Sequence, residues 1–486
     1  MINLPHIESV ITHGPYTDTW ESLSQYHVPA WYTRLKFGIF IHWGVYSVPA
    51  FDNEWYPRNM YIQGSKAFEH HIRTYGPQAS FGYQDFIPLF RAERFDPEAW
   101  AELFLRAGAK YVIPVAEHHD GFQMYKSALS HWNAFEMGPE RDVLGELFTA
   151  CRDRGLVTGA SSHRAEHWFF MGHGRDFDSD IRDSVARDSL YWPAMAEADH
   201  YDIHSQPVSS EEFLEDWLLR TCEIIDCYQP SILYFDWWIQ HSAFKPWLRK
   251  VAAYYYNRAA EWGREVIIHY KHDAFLFGTA VPDVERGQFA DVKPYFWQTD
   301  TAVARNSWCY TEGNDYKSAG ELICNLIDVV SKNGCLLLNI GPKADGSIPE
   351  TDAAILNEIG KWLTVNGEAI YDTQPWRWFG EGPTQVTEGQ FSDCEALHFT
   401  AQDFRFTRKG DALFIFALKC SENGTYCVRS LADRDAAHGG KFHGIIQQIE
   451  LLGSDAALWW QQDETGLHLQ TAFRADQPIV FKLTLD

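Results

Sequence analysis

Basic residues are scarce in this chain. Its 41 lysines and arginines face 66 aspartates and glutamates, which leaves a formal net charge of -25 at pH 7. A surface of that sign repels phosphate backbones and anionic bilayers. Nucleic acid and membranes are therefore not expected as partners.

Long apolar runs and regularly spaced cysteines are also missing. No stretch approaches the roughly 20 apolar residues of a membrane span. The nine cysteines are odd in number and lack a repeated short spacing, so neither a zinc site nor a disulfide framework is indicated. Residues 1–8 lack the basic start and apolar run of a signal peptide. We expect a reducing, cytoplasmic setting, or a secreted or periplasmic one if a leader has been removed; homo-oligomerisation is left open.

Aromatic residues, in contrast, are abundant. They make up 15% of the chain and include 20 tryptophans. This exceeds what a core of this size needs for packing. Stacking on the apolar faces of sugars is one use for the excess.

Short apolar runs that end in polar residues alternate with helical patterns along the first three quarters of the chain. The runs are residues 37–43, 111–119, 156–163, 231–238, 266–271 and 335–340. This βαβα rhythm predicts a (β/α)8-like barrel over residues 1–370, with 172–204 as an elaborated loop. After about residue 370, short alternating runs predict a C-terminal antiparallel β-sandwich over 371–486.

The run 231–238 is the most informative of these. A buried apolar strand leads directly into Asp236, which is flanked by Trp237 and Trp238. A polar residue at the end of a barrel strand is where this fold places its chemistry, so Asp236 is a candidate nucleophile. A strand-end aspartate that caps the next helix is the competing interpretation.

Because all strand ends of a barrel share one rim, polar residues far apart in sequence should meet there. Histidine and glutamate supply partners for sugar hydroxyls, and tryptophan supplies an apolar wall. Glu285 is our candidate acid, with Glu54, Glu166 and Glu312 as replacements. The other rim residues with binding chemistry are His42, Trp43, Glu54, Trp55, His118, His119, His163, Glu166, His167, Trp168, Trp237 and Lys271.

The adjacent histidines His118 and His119 have a metal-site interpretation as well. Consecutive residues on a strand point to opposite faces, so both could bind one ion only if the strand has already ended. No third ligand stands at a recognisable spacing. We therefore expect no metal and no cofactor.

Taken together, these segments resemble glycoside hydrolase family 29, the retaining α-L-fucosidases. The matching segments are 36–50, 53–56, 118–122, 234–237, 307–310 and 337–349, in family order. The first and last are long and specific, whereas each short one alone would be weak.

The resemblance implies roles for individual residues. Asp236 matches the nucleophile, and Glu285 is the match for the more variable acid/base. The positions that would hold fucose hydroxyls are His42, Glu54, Trp55, His118 and His119. The sugar methyl would meet aromatic walls, for which Phe40, Trp55, Trp237 and Trp297 are available.

Three positions depart from the family pattern. Tyr234 stands where many members have tryptophan two places before the nucleophile. Residues 160–163, which end at His163, replace a tyrosine-rich segment. Lys271 replaces an arginine by rough position only.

The implied activity is retaining exo-α-L-fucoside hydrolysis by double displacement, with a small α-L-fucoside as substrate. Two alternatives stay open. One is an inactive fucose-binding protein, which hydrolysis of a nitrophenyl fucoside would reject. The other is a metal-dependent hydrolase that uses His118, His119 and Asp236, which activity surviving a strong chelator would reject.

Overall fold

The computed structural model describes residues 2–182, 185–199, 201–393, 397–433, 442 and 444–486. Eight parallel strands form a closed barrel in chain order. They are β1 (Phe37–Ile41), β2 (Tyr111–Glu117), β3 (Val157–Ser162), β4 (Ile232–Phe235), β5 (Ile267–Tyr270), β6 (Val281–Glu285), β7 (Trp297–Ala302) and β8 (Gly334–Ile340). β1 pairs with both β2 and β8, which closes the barrel.

Helices surround the barrel and follow its strands. They are α1 (Leu4–His13), α2 (Trp20–Leu23), α3 (Ala30–Thr33), α4 (Tyr56–Asn59), α5 (Lys66–Tyr75), α6 (Pro97–Arg106), α7 (Val143–Asp153), α8 (His167–Phe170), α9 (Glu211–Tyr228), α10 (Lys245–Glu261), α11 (Ala319–Ser331) and α12 (Glu350–Asn366). Local signals set their starts. Asp96 caps α6 before Pro97, and Ser318 with Glu321 forms a capping box on α11.

β6 and β7 are absent from the predicted strands, because the prediction looked for apolar runs. Three of their inward positions are Asp283, Gln298 and Asp300, all buried, which breaks the apolar pattern of a parallel strand. Residues 283–287 follow the fifth predicted strand, and no strand was predicted there. In the structure Glu285 is the last residue of β6.

The C-terminal domain contains two antiparallel sheets, as predicted. A five-stranded sheet has the order β13-β16-β11-β10-β9, and a three-stranded sheet has the order β12-β15-β14. The strands are β9 (Gln374–Glu381), β10 (Phe404–Lys409), β11 (Ala412–Ala417), β12 (Thr425–Val428), β13 (Ile446–Leu451), β14 (Leu458–Asp463), β15 (Gly466–Thr471) and β16 (Ile479–Leu485). Both sheets contribute to one apolar core, including Phe406, Ile415, Val428 and Leu469.

The change from barrel to sandwich falls between the end of α12 at Asn366 and the start of β9 at Gln374. Trp362 of α12 donates its indole N–H to the carbonyl of Pro478, so the two parts are in direct contact. Among the described residues, the longest helices all lack the apolar composition that a bilayer crossing requires.

Candidate active site

The carboxyl ends of the barrel strands enclose one small pocket. Its lining residues are Phe40, His42, Glu54, Trp55, His118, His119, His163, Tyr234, Asp236, Trp237, Lys271, Glu285, Asp300 and Trp308. The structure therefore brings together most of the predicted rim residues. Five of the predicted rim and wall residues lie outside the lining: Trp43, Glu166, His167, Trp168 and Trp297. The cavity volume is about 30 Å³, room for about one water molecule.

Asp236 follows β4 directly and is held by three cationic or polar neighbours. Its Oδ2 accepts a hydrogen bond from His163 Nδ1 at 2.9 Å and lies 3.4 Å from His119 Nε2. Its Oδ1 lies 3.2 Å from Lys271 Nζ. Burial raises the pKa of Asp236, but Lys271 and the two histidines outweigh burial and hold this pKa well below its ordinary range. The carboxylate is thus ionised and aimed into the pocket.

Lys271 bridges the two candidate catalytic carboxylates. Its Nζ lies 2.9 Å from Glu285 Oε2 as well as 3.2 Å from Asp236 Oδ1. Two further carboxylates stand behind it, Asp300 at 3.2 Å and Asp283 at 4.0 Å. Burial lowers the pKa of Lys271, yet these acids raise it well above its ordinary value. The ammonium therefore remains charged inside the barrel.

Glu285 has the opposite character from Asp236. Burial is the largest influence and raises its pKa, Lys271 lowers it, and Asp236 and Asp300 raise it again, to about 7. Two buried carboxyl groups thus face one ammonium, one held ionised and the other protonated near neutral pH. Such a separation of pKa values is what assigns base and acid roles within a pair of carboxyl groups.

The histidines divide into one charged ring and three neutral ones. Burial lowers the pKa of His119, but Glu166 and Asp236 raise it to about 9. Burial lowers the pKa of His42, His118 and His163. His42 Nδ1 bonds Asn339 Oδ1 at 2.7 Å, which leaves its Nε2 as an acceptor. The pocket therefore presents both donors and acceptors, as sugar hydroxyls require.

Glu54 and Trp55 lie in the loop that precedes α4. Glu54 Oε2 accepts the backbone N–H of Trp308 at 3.0 Å, and burial raises the Glu54 pKa. The Trp55 ring packs edge-on against His119 with centroids 5.6 Å apart. The Trp308 ring stacks on His42 at 5.2 Å. Trp55 and Trp308 thus supply aromatic walls.

The other acid candidates lie less favourably. Glu166 is fully buried, with Oε2 3.6 Å from His119 Nδ1, and it does not line the pocket. Glu312 is exposed and outside the lining. Glu54 lines the pocket, but it does not contact Lys271 within the ion-pair distance that Glu285 meets.

Trp297 is a correction to the sequence-based expectation. It begins β7, at the end of the strand away from the pocket, and its indole N–H donates to the carbonyl of Lys332. It packs on Phe289 and is fully buried. Trp308, which was not predicted, lines the pocket. Its segment, 307–310, already belonged to the family resemblance, so the motif was the better signal.

Tyr234 and Asp300 were also missed as pocket residues. Tyr234 was noted as a departure from the family pattern, and its hydroxyl donates to Asp300 Oδ2 at 2.7 Å. Asp300 lies in β7, a strand that the apolar pattern did not reveal. Knowing that eight strands must close a barrel could have directed attention to residues 297–302.

The strand ends that carry the polar residues turn sharply. Positive φ values occur one or two residues after Asp236, Lys271 and Glu285. They are 77° at Trp238, 52° at His272 and 44° at Arg286. Non-glycine residues rarely adopt this conformation, and such strain concentrates at functional sites.

Within the part of the chain that the structure describes, two sets of side chains could hold a metal ion by distance alone: His42, His118 and His163, and His119, His163 and Asp236. His163 is common to both, and its ring nitrogens already contact Ser161 and Asp236. His119 keeps its proton at neutral pH, whereas a metal ligand must lose it. Neither set offers three free donor atoms, so these residues fit a sugar better than a metal.

Comparisons with known proteins agree with this geometry. A family model described as Alpha-L-fucosidase matches residues 4–368. The tissue alpha-L-fucosidase of Homo sapiens is 31% identical over 456 residues, covering 92% of this chain and 86% of that protein. The plasma alpha-L-fucosidase of Homo sapiens is 33% identical over 388 residues, covering 74% of this chain and 73% of that protein.

Among solved structures, the alpha-fucosidase of Thermotoga maritima in complex with a mechanism-based inhibitor superimposes with a TM-score of 0.75 at 28% identity. That match covers 96% of this chain and 100% of the other. It extends over both the barrel and the C-terminal sheets. This chain belongs to the alpha-L-fucosidase family of glycoside hydrolases.

Proposed function

We propose that the protein is a retaining exo-α-L-fucosidase in which Asp236 is the nucleophile and Glu285 the acid/base. Asp236 attacks the anomeric carbon while Glu285 protonates the departing oxygen, which gives a fucosyl ester and a free alcohol. Glu285, now ionised, then takes a proton from water, which attacks the ester and releases fucose. Two inversions at the same carbon give net retention.

One observation carries the assignment. Asp236 and Glu285 both contact Lys271 Nζ, at 3.2 Å and 2.9 Å. The two oxygens that contact Nζ can therefore be no farther apart than these two distances together. This is shorter than the roughly 6.5–9.5 Å of an inverting pair, which needs room for a water molecule, and it supports a retaining pair. The ionised Asp236 and the Glu285 pKa of about 7 give each group the protonation state that its step requires.

The small size of the pocket supports action on a terminal sugar. A cavity of about 30 Å³ cannot admit a fucose ring unless side chains move. Lys271 is the most flexible group between the carboxylates, so we expect its ammonium to swing away from Asp236 as the anomeric carbon arrives. His42, Glu54, His118, His119 and His163 then bind the sugar hydroxyls.

Apolar walls around the sugar are supplied by Trp55, Trp237 and Trp308. Trp237 packs against His272 with ring centroids 5.6 Å apart. A methyl group placed on such rings is favoured over a hydroxymethyl group, because a buried hydroxyl without a partner costs about 1–3 kcal/mol. L-fucosides should therefore be preferred to L-galactosides.

The test is the configuration of the first product. Hydrolysis of 4-nitrophenyl α-L-fucoside followed by NMR should give α-L-fucose first, which then equilibrates. β-L-fucose as the first product would reject the double displacement. No hydrolysis at all would favour the binding-protein alternative, and loss of activity in a strong chelator would favour the metal-dependent one.

We further propose a reducing, cytoplasmic setting. The cysteines in the described part of the chain all have free thiols in the structure: Cys151, Cys222, Cys227, Cys309, Cys324, Cys335, Cys420 and Cys427. Structural disulfides are typical of oxidising compartments, so free thiols support this choice. After isolation of the protein under alkylating conditions, mass spectrometry should find these cysteines alkylated, as reduced thiols would be. Homo-oligomerisation stays a prediction for sedimentation to test.

A further inference from the structure

Residues 388–393 of the C-terminal domain, here called the strap, run along the barrel segment that carries Glu285. Gly389 and Gln288 exchange backbone hydrogen bonds of 3.0 Å and 3.3 Å. Phe391 N donates to the carbonyl of Glu285 at 2.9 Å, and Asp393 N donates to the carbonyl of Arg286 at 3.1 Å. A piece of the second domain therefore pairs with the end of β6.

Side chains fix both ends of the strap to the barrel. At one end, the Asp393 carboxylate contacts Lys317 Nζ and accepts the Thr301 hydroxyl; Asp393 is 8% exposed on its side chain. At the other end, the Glu388 carboxylate accepts the Ala290 N–H and lies near Lys293, each at 3.2 Å. The Asp393–Lys317 pair is buried, so removal of one of its partners is costly. The Glu388–Lys293 pair is partly exposed and contributes less.

The segment that the strap contacts is weakly paired on one side. β6 pairs with β5 through only two residues, His269 with Val281 and Tyr270 with Pro282. On its other side β6 pairs with β7 through three residues, the last of which is Glu285. It ends at Glu285, because Arg286 has a φ of 44°. The Phe391 N–H is the hydrogen-bond partner of the Glu285 carbonyl at this turn, and a buried carbonyl without a partner is unfavourable.

Arg286 extends this support to the pocket wall. Its guanidinium donates to the carbonyls of Ala304, Arg305 and Ser307 at 3.3 Å. It also lies 4.4 Å from the Trp308 ring centroid. The strap, Arg286 and the loop before Trp308 thus form one connected layer behind the acid side of the pocket.

We propose that the strap is a positioning element for Glu285, which holds the acid/base carboxyl at the leaving-group oxygen. This inference rests on the proposed acid/base role of Glu285. A displaced acid harms proton transfer more than nucleophilic attack, since Asp236 follows β4, which the strap does not contact through backbone hydrogen bonds in the described part of the chain. Misplacement by about 1 Å can cost about 100-fold in a step that depends on it.

Gly287→Ala is the decisive variant. A Cβ at position 287 would lie 1.9 Å from the Gly389 carbonyl oxygen, so the strap must move away. Gly313→Ala is the matched control, because a Cβ there meets nothing within 4 Å. For each variant, kcat/KM is measured with 4-nitrophenyl α-L-fucoside, whose leaving group needs little protonation, and with methyl α-L-fucoside, whose leaving group needs much.

We expect Gly287→Ala to lose about 10- to 100-fold on the methyl fucoside and less than about threefold on the nitrophenyl fucoside. Gly313→Ala should match the wild type on both. Equal losses on the two substrates, or no loss on either, would overturn the proposal. If Gly287→Ala does not fold, Asp393→Asn replaces it, since it releases one end of the strap without added volume, and the same two outcomes decide.

Glu285→Gln, assayed alongside, separates this proposal from the one on which it rests. If Glu285→Gln itself treats the two substrates alike, Glu285 is not the acid and the proposed function is wrong at that residue. If Glu285→Gln discriminates strongly but Gly287→Ala and Asp393→Asn do not, the acid assignment stands and the strap proposal is rejected.

Discussion

Two hollows of this molecule differ in almost every respect. The barrel pocket has a volume of about 30 Å³, whereas a cleft between the sheets of the C-terminal domain has about 1030 Å³. In the cleft, polar groups bond local neighbours; Glu381, for example, accepts the backbone N–H groups of Arg429 and Ser430. In the pocket, buried carboxyl groups and histidines face one another instead.

Volume alone therefore does not identify the reactive site. Two polar residues of the cleft have ordinary hydrogen-bond partners: backbone N–H groups for Glu381 and the Thr465 hydroxyl for His468. The charges of the pocket are forced together by the convergence of strand ends, and their pKa values are strongly displaced as a result. Displaced pKa values in a concave site are the better mark of catalysis.

The largest expected effect concerns the candidate nucleophile in the barrel pocket. Asp236→Gly should lower kcat by several orders of magnitude, because the covalent step loses its nucleophile. Azide should restore part of the turnover, since a small anion can occupy the vacated space. Thermal unfolding must stay cooperative for the result to count, and a variant with near-normal activity would contradict the assignment.

Two tryptophans allow a matched comparison of pocket and core. Trp308→Ala should raise KM about tenfold, because a ring that contacts sugar contributes about 1.4 kcal/mol. Trp297→Ala should instead destabilise the fold by about 3–5 kcal/mol without changing the KM of the folded enzyme. Kinetics at low temperature and thermal unfolding separate the two effects. A change of KM in the Trp297 variant would place that ring at the site after all.

The pH dependence of kcat/KM tests how the carboxylates near Lys271 act on Glu285. Glu285 must be protonated to act as acid, so kcat/KM should fall as pH rises through its pKa of about 7. The Asp300 charge raises that pKa, and Asp300→Asn should therefore move the alkaline limb down by roughly one pH unit.

Asp283→Asn is the control for that shift. Burial and the neighbouring Asp300 raise the pKa of Asp283 well above its ordinary value. Asp236 and Asp300, not Asp283, are the carboxylates that raise the pKa of Glu285, so Asp283→Asn should move the alkaline limb less than Asp300→Asn does. Equal movement of the limb in both variants would show a general structural disturbance instead.

The smallest effect is expected in the C-terminal cleft. Trp378 and His468 both line it. Because the cleft has no part in the proposed reaction, the Trp378→Ala and His468→Ala variants should keep kcat/KM for 4-nitrophenyl fucoside within about twofold of the wild type. A larger loss of kcat/KM with unchanged stability would show that the cleft takes part in the reaction.

The sequence predicted the barrel where its strands are apolar, and the β-sandwich where its strands alternate. It missed β6 and β7, because inward Asp283 and Asp300 serve the charge network around Lys271 and interrupt the apolar pattern. It identified Asp236 from the end of one strand. The predicted site included Trp297 and omitted Trp308, because the position of a residue along its strand decides which end of the barrel it reaches.

The strap could not be predicted from the sequence. Its contacts join residues 388–393 to residues 285–288 and 301–317, and they consist largely of backbone hydrogen bonds that carry no sequence pattern. Likewise, four carboxyl groups around Lys271 depend on the register of four neighbouring strands. Only the closed barrel reveals that one ammonium serves them all.

Covalent trapping tests the central claim most directly. A 2-deoxy-2-fluoro-α-L-fucosyl donor with a good leaving group should form a fucosyl ester that is hydrolysed slowly, because fluorine disfavours the oxocarbenium-like transition state of its breakdown. Peptide mass spectrometry should then find one fucosyl adduct, on Asp236. An adduct on another carboxylate, or steady turnover without any adduct, would contradict the account.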